Sequence, residues 1–223
     1  MKNLHIQFEK AFTLAEVLIT LVIIGVIAAL TIPTAINNTK EQELKTQFAK
    51  AFSTVSQAVY KTEMNDFYGY AKCYYPYNLE TDVTQQYIYD DCINFFNAFE
   101  KYLSVQKICK GNALSDGCVP KYKTYFSGWS GYSENSINNV NYAYVLSNGQ
   151  ILIYFQQGTL PLFLIDINGM KGPNNYGYDL FSFAIKKHDS SGMYIGGDLD
   201  FPNMPTGGKT TKEMIQYSLA GKK

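Results

Sequence analysis

The sequence predicts an α+β fold: a long N-terminal α-helix, its first half built to span a membrane, packed through its second half on a C-terminal antiparallel β-sheet. Three observations predict it. Residues 10–33, KAFTLAEVLITLVIIGVIAALTIP, are dominated by Leu, Ile, Val and Ala, and no charged side chain occurs from Val17 to Thr39. Leu44, Phe48, Phe52, Val55 and Val59 then recur at spacings of four, four, three and four, an apolar stripe of helical period. Beyond residue 140, short runs rich in β-branched and aromatic residues alternate with Gly, Asn and Pro.

The elements follow in order. MKNLHIQFEKA, residues 1–11, is a short polar leader carrying Lys2, Glu9 and Lys10. The apolar run after it is long enough to cross a bilayer, which takes roughly 20 residues, and is assigned to residues 12–36. It exceeds the core of an ordinary secretory signal and no A-x-A cleavage site follows it. An uncut signal anchor, with Lys2 and Lys10 holding the N-terminus in the cytoplasm, is the plain alternative. One helix is expected from about Phe12 to about Thr62, with Pro33 the point at which it can be interrupted. Residues 63–90 read as irregular, and Ile93, Phe96, Phe99 and Leu103 suggest a second helix from Asp91 to Leu103. Residues 104–139 read as loop. Tyr142–Ser147 and Gln150–Phe155 flank Asn148-Gly149, a strong hairpin signal; Leu160–Ile167, Asp179–Lys186 and a short edge at Met193–Ile195 complete a sheet of about four strands.

Composition narrows the function. The 223 residues carry 19 basic and 19 acidic side chains, and every basic one is Lys. Nucleic-acid binders show a basic stripe and use Arg for bidentate contacts, so no nucleic-acid partner is expected. Catalytic signatures such as GxSxG, HExxH or a Gly-rich phosphate loop do not occur. His188-Asp189-Ser190-Ser191 reads as a polar turn, since adjacent residues rarely reach triad geometry. The chain is not expected to be an enzyme.

Glu16 is the anomaly. A carboxylate deep in hydrocarbon costs at least about 2.5–3.5 kcal/mol and calls for a partner. Lys10-Ala11-Phe12-Thr13-Leu14-Ala15-Glu16-Val17-Leu18 before an apolar helix resembles the N-terminal signature of type IV prepilins and type II secretion pseudopilins. The resemblance implies a pilin-like lollipop and cutting by prepilin peptidase between Ala11 and Phe12, with methylation of the new amine. Where the family usually has Gly before the cut, this chain has Ala11. The resemblance further implies assembly roles for Glu16, Gly25 and Pro33. Glu16 would neutralise the terminal amine of a neighbouring subunit, setting axial register; the bland alternative is a glutamate snorkelling from near the helix end. The implied partners are prepilin peptidase, other subunits and the inner membrane. The implied location is a single-pass inner-membrane protein with its head, residues 37–223, outside the cytoplasm, or a cell-surface filament. That head divides into an amphipathic helix half at 37–62, a variable loop region at 63–139 and a β-sheet region at 140–223.

Cys73, Cys92, Cys109 and Cys118 all fall in the head, and an even count outside the cytoplasm suggests two disulfides with three connectivities open. Loop closure favours Cys73–Cys92 with Cys109–Cys118; four free thiols is the alternative. The loop DINGMKGPNNYGYD, residues 166–179, offers Asp166, Asn168 and Asp179 as oxygen ligands for calcium, an idea with support from major pseudopilins. The EF-hand pattern fails there, and Asx turns explain the same residues; no other cofactor is expected. The function expected is a structural filament subunit of a type IV pilus or type II secretion system. The alternatives are a minor pilin that binds a surface or substrate, and a plain membrane-anchored domain.

Overall fold

The structure is a computed structural model that describes residues 13–65, 94–122, 135–140, 142–154, 162–188, 192–196 and 207–220. Packing divides the chain into two units, Met1–Glu43 and Leu44–Lys223, with the boundary inside the first helix, α1 (Leu14–Asn65). Each unit is described by itself.

In the first unit α1 carries an apolar surface that is exposed among the described residues. Leu14, Val22 and Leu30 are 81%, 65% and 72% exposed. The helix is long and apolar enough to cross a membrane. The hydroxyls of Thr20, Thr31 and Thr39 are turned back on the backbone, donating to the carbonyls of Val17, Ile27 and Ala35, each at 2.9 Å. This suits a medium that supplies no hydrogen bonds. Pro33, the point at which the helix could be interrupted, does not interrupt it, and α1 is helical through it. The ring still removes the donor that the Ala29 carbonyl would otherwise meet.

In the second unit the rest of α1 turns the predicted stripe to the core, burying Phe48, Val55 and Val59 together with Ala51 and Ala58, while Leu44 and Phe52 are partly buried against it. Phe48 meets Phe181 edge-on, with ring centroids 5.0 Å apart, and stacks near Phe183 at 5.9 Å. A second helix, α2, spans 94–99 and continues as a 3-10 turn, Glu100–Tyr102. It buries Phe95, Phe96 and Phe99, and Phe96 stacks on Tyr154.

Six strands form an antiparallel meander in chain order: β1 (Val105–Lys110), β2 (Tyr142–Leu146), β3 (Ile151–Tyr154), β4 (Leu162–Asp166), β5 (Leu180–His188) and β6 (Gly192–Gly196). Alternation divides the side chains between two cores. Tyr144, Leu152, Tyr154, Phe163, Phe181 and Phe183 join the helices on one face. Ala143, Ile151, Ile153, Leu164, Leu180 and Ala184 pack on the other with Cys109, Cys118, Val119 and Tyr122. Burial on both faces is why ILIY in β3 reads as a continuous apolar run rather than an alternating one. Gln150 ties the first core together, its Nε2 donating to the Gln47 carbonyl on α1 at 3.2 Å and to the Ile167 carbonyl at 3.4 Å.

The fold class is as the sequence predicts, with differences in its parts. Among the described residues the sheet has six strands rather than about four. The stretch 104–139, expected to be loop, contains β1 and a π-helical turn at Ser136–Val140. The α1 helix runs on to Asn65, past the expected end near Thr62. The region 140–223, expected to be sheet, also ends in a helix, α3 (Thr211–Leu219), whose Met214 is buried in the first core. Its start is a capping box in which Thr210 N–H donates to Glu213 Oε2 and Glu213 N–H to Thr210 Oγ1.

Candidate functional site

The N-terminal residues come first. Ala11 and Phe12 lie outside the described residues, which begin at Thr13. Thr13 stands one residue before α1, and Glu16 Oε2 accepts from its backbone N–H at 2.9 Å and from its hydroxyl at 2.8 Å. Glu16 N–H donates in return to Thr13 Oγ1 at 3.2 Å. The motif Thr-x-x-Glu is thus a capping box, which holds the glutamate at the helix start. Gly25 faces open space: a β-carbon added there meets nothing within 4 Å. No described residue therefore demands a small side chain at Gly25. Pro33 lies further along the same apolar helix.

The second place is the loop that joins β4 to β5. Asp166, at the end of β4, is fully buried. Its Oδ1 accepts from the N–H groups of Asn168 at 3.0 Å and Gly169 at 2.7 Å, and its Oδ2 from the Tyr122 hydroxyl at 2.8 Å. Asp179 is also fully buried, and its two oxygens accept from the N–H groups of Asn174 at 2.7 Å and Asn175 at 2.8 Å. Ile167 N–H donates to the Asp179 carbonyl and closes the base of the loop. Burial pushes the Asp166 carboxyl up to about 8, against the pull of the Tyr122 hydroxyl, and the nearby Asp179 adds to the rise. Burial raises Asp179 as well, and raises the Tyr122 phenol well above its ordinary range.

The predicted oxygen donors Asp166, Asn168 and Asp179 are therefore brought into one loop, though both carboxylates already receive protein donors. What the sequence did not reveal is that Asn174 and Asn175 join Asn168: among the described residues, the side-chain oxygens of all three are buried without a hydrogen-bond partner. Tyr122 was likewise not foreseen; nothing in its neighbourhood in the chain marks it as a partner of Asp166. Among the described residues no group of three or more His, Cys, Asp and Glu side chains converges.

Of the cysteines, Cys109 and Cys118 are disulfide-bonded with Cα atoms 6.2 Å apart, as loop closure favours. Cys73 and Cys92 lie outside the described residues, as do Asp189, Ser190 and Ser191.

Residues 7–32 match the family model of the prokaryotic N-terminal methylation motif, the prepilin-type signature. The match takes in Ala11, Phe12, Glu16 and Gly25 and stops one residue before Pro33. No curated protein and no solved structure matches the chain significantly. The motif supports a prepilin-like chain processed at its N-terminus by prepilin peptidase and assembled with other subunits. With the apolar helix it is consistent with an inner-membrane anchor.

Proposed function

We propose that this chain is a structural, non-catalytic subunit of a type IV pilus or type II secretion filament, cut between Ala11 and Phe12 and assembled through the first half of α1. The observation that carries the reading is the methylation motif at 7–32 set on a helix whose apolar stretch, Leu14 to Thr39, carries a single carboxylate, Glu16, at its start. Cutting would expose a positive amine on Phe12, and Glu16 of an incoming subunit would neutralise the amine of its neighbour. Removing either charge from such a pair leaves the other stranded in lipid at a cost of several kcal/mol. Identical helices stacked by this contact form a heterologous, non-closing assembly, which is a filament. Mass spectrometry of the mature chain tests the first step. A methylated Phe12 terminus is expected; an intact Met1 overturns the reading in favour of a plain anchored domain.

A second reading is favoured by the unpartnered amide oxygens: the 166–179 loop as a calcium site. The donors would be the carboxylates of Asp166 and Asp179 with the amide oxygen of Asn168, hard oxygens of the kind calcium takes. Bound there, the ion would supply positive charge to two buried carboxylates. Protein unfolding followed in calcium and in chelator tests it. A midpoint that rises with calcium but not with magnesium supports the site, and equal midpoints remove it.

A further inference from the structure

We propose that the Cys109–Cys118 disulfide governs the order of the 166–179 loop, with Tyr122 as the positioning residue between them. This goes beyond filament assembly and does not depend on a bound cation. The bridge is buried and closes a loop whose chain returns on itself: the N–H groups of Cys118 and Val119 both donate to the Ala113 carbonyl. Leu114 N–H donates to the Asn138 carbonyl, and the Asn138 side chain clasps the Tyr122 backbone from both sides. Tyr122 N–H donates to Asn138 Oδ1 at 3.1 Å, and Asn138 Nδ2 to the Tyr122 carbonyl at 3.4 Å. Tyr122, four residues past Cys118, then donates its hydroxyl to Asp166 Oδ2. The other oxygen of Asp166 gathers the N–H groups of Asn168 and Gly169, the first turn of the loop.

A continuous run of covalent and hydrogen bonds thus leads from the bridge to the loop, and its central members, Cys118, Tyr122 and Asp166, are fully buried. Without the bridge, residues 110–117 regain chain entropy, and the fixed point from which Tyr122 reaches Asp166 is lost. A buried carboxyl deprived of its donor is costly, so the loop rearranges. Forming the bridge joins the two Sγ atoms and releases two protons and two electrons. A thiol–disulfide oxidant takes them and is itself reduced to a dithiol. The loop is therefore set once the chain reaches an oxidising compartment.

Amide hydrogen exchange on the full chain in detergent and chelator tests the proposal. The variant pair Cys109→Ala with Cys118→Ala is used in place of a reductant, which would also reach Cys73 and Cys92. Exchange across 166–180 is expected to quicken at least tenfold in that pair and in Tyr122→Phe, with no further gain when all three changes are combined. The amides of Ile153 and Phe183 should stay protected. Asp166→Asn breaks the same link from the other end, should Tyr122→Phe fold poorly. Unchanged loop exchange in the cysteine pair overturns the proposal. So does equal quickening in loop and strands, which would make the bridge a general stabiliser, or an additive effect of Tyr122→Phe, which would place the coupling elsewhere.

Discussion

Glu16 folds its carboxylate back onto Thr13, accepting from both the amide and the hydroxyl of that residue. A glutamate proposed to pair with a neighbour's amine is thus already satisfied within its own chain, and the two roles need separating. Glutamine can complete the same capping box but carries no charge. Glu16→Gln should therefore keep the helix start and membrane insertion while blocking filament assembly. Glu16→Ala should in addition lose the cap, worth about 1 kcal/mol. Membrane fractionation and the yield of sheared filaments read the two effects. Normal filaments from Glu16→Gln would reduce the residue to a cap.

Gly25 gives an independent handle on the same surface. Among the described residues nothing comes within 4 Å of a β-carbon there, so a larger side chain meets no clash with them. A helical glycine replaced by alanine even gains about 1 kcal/mol in intrinsic propensity. Gly25→Leu should insert normally and leave the thermal midpoint of the head unchanged. Filament yield should fall at least tenfold, because small residues let membrane helices approach closely. Full yield would mean that no neighbour packs at this position.

The parts of the fold that local physics dictates were legible in the sequence. The spacing from Leu44 to Val59 fixes a helical face by itself, and Asn148-Gly149 forms its hairpin because Gly149 sits at φ +84°. β1 was not legible, because pairing makes it a strand: Gln106, Lys107, Ile108 and Lys110 are exposed, and only its partner β2 draws VQKICK into the sheet. α3 announces itself through Thr210 and Glu213, a signal within reach of sequence reading but diluted by the sparse apolar residues that follow. At the candidate sites, Glu16 stands out by its charge in an apolar run. The oxygen donors of 166–179 were visible as residue types. Their organiser was not: Tyr122 lies 44 positions before Asp166, and only the tertiary fold joins them.

The buried Asp166 carboxyl makes stability depend on pH in an unusual direction. An unfolded aspartate titrates near about 3.9, and in the fold burial lifts Asp166 to about 8. The native state therefore binds the proton more tightly than the unfolded state does. Stability is greatest below the unfolded value and falls as pH rises toward the folded one. Asp179, raised in the same direction, adds to the slope, and Tyr122 is the other titrating group that faces Asp166. Denaturant midpoints measured in chelator from pH 5 to pH 8 should decline in the native sequence. The decline should be shallower in Asp166→Asn, whose amide oxygen still accepts from Asn168 and Gly169. An equal slope in both proteins would mean that Asp166 is ionised throughout.

Gly169 is the residue at which the two turns of the sheet meet. It adopts φ +69°, a left-handed conformation, and a β-carbon placed on it would collide with the carbonyl oxygen of Gly149 in the β2–β3 hairpin. The obstacle is backbone on a short turn, so it cannot swing aside as a flexible side chain would. Gly169→Ala combines a left-handed penalty of about 1–2 kcal/mol with displacement of that turn. The shift would also draw the Gly169 N–H away from Asp166 Oδ1, which it now meets at 2.7 Å. A loss of about 2–4 kcal/mol in the free energy of unfolding is expected, within the range of the more severe single substitutions. Chemical denaturation of the full chain in detergent measures it. Gly149→Ala is the matched comparison. It too has positive φ, but its added carbon meets nothing within 4 Å, so it should cost only the conformational share. Equal losses in the two variants would show that conformation alone, and not the contact between the turns, sets the demand for glycine.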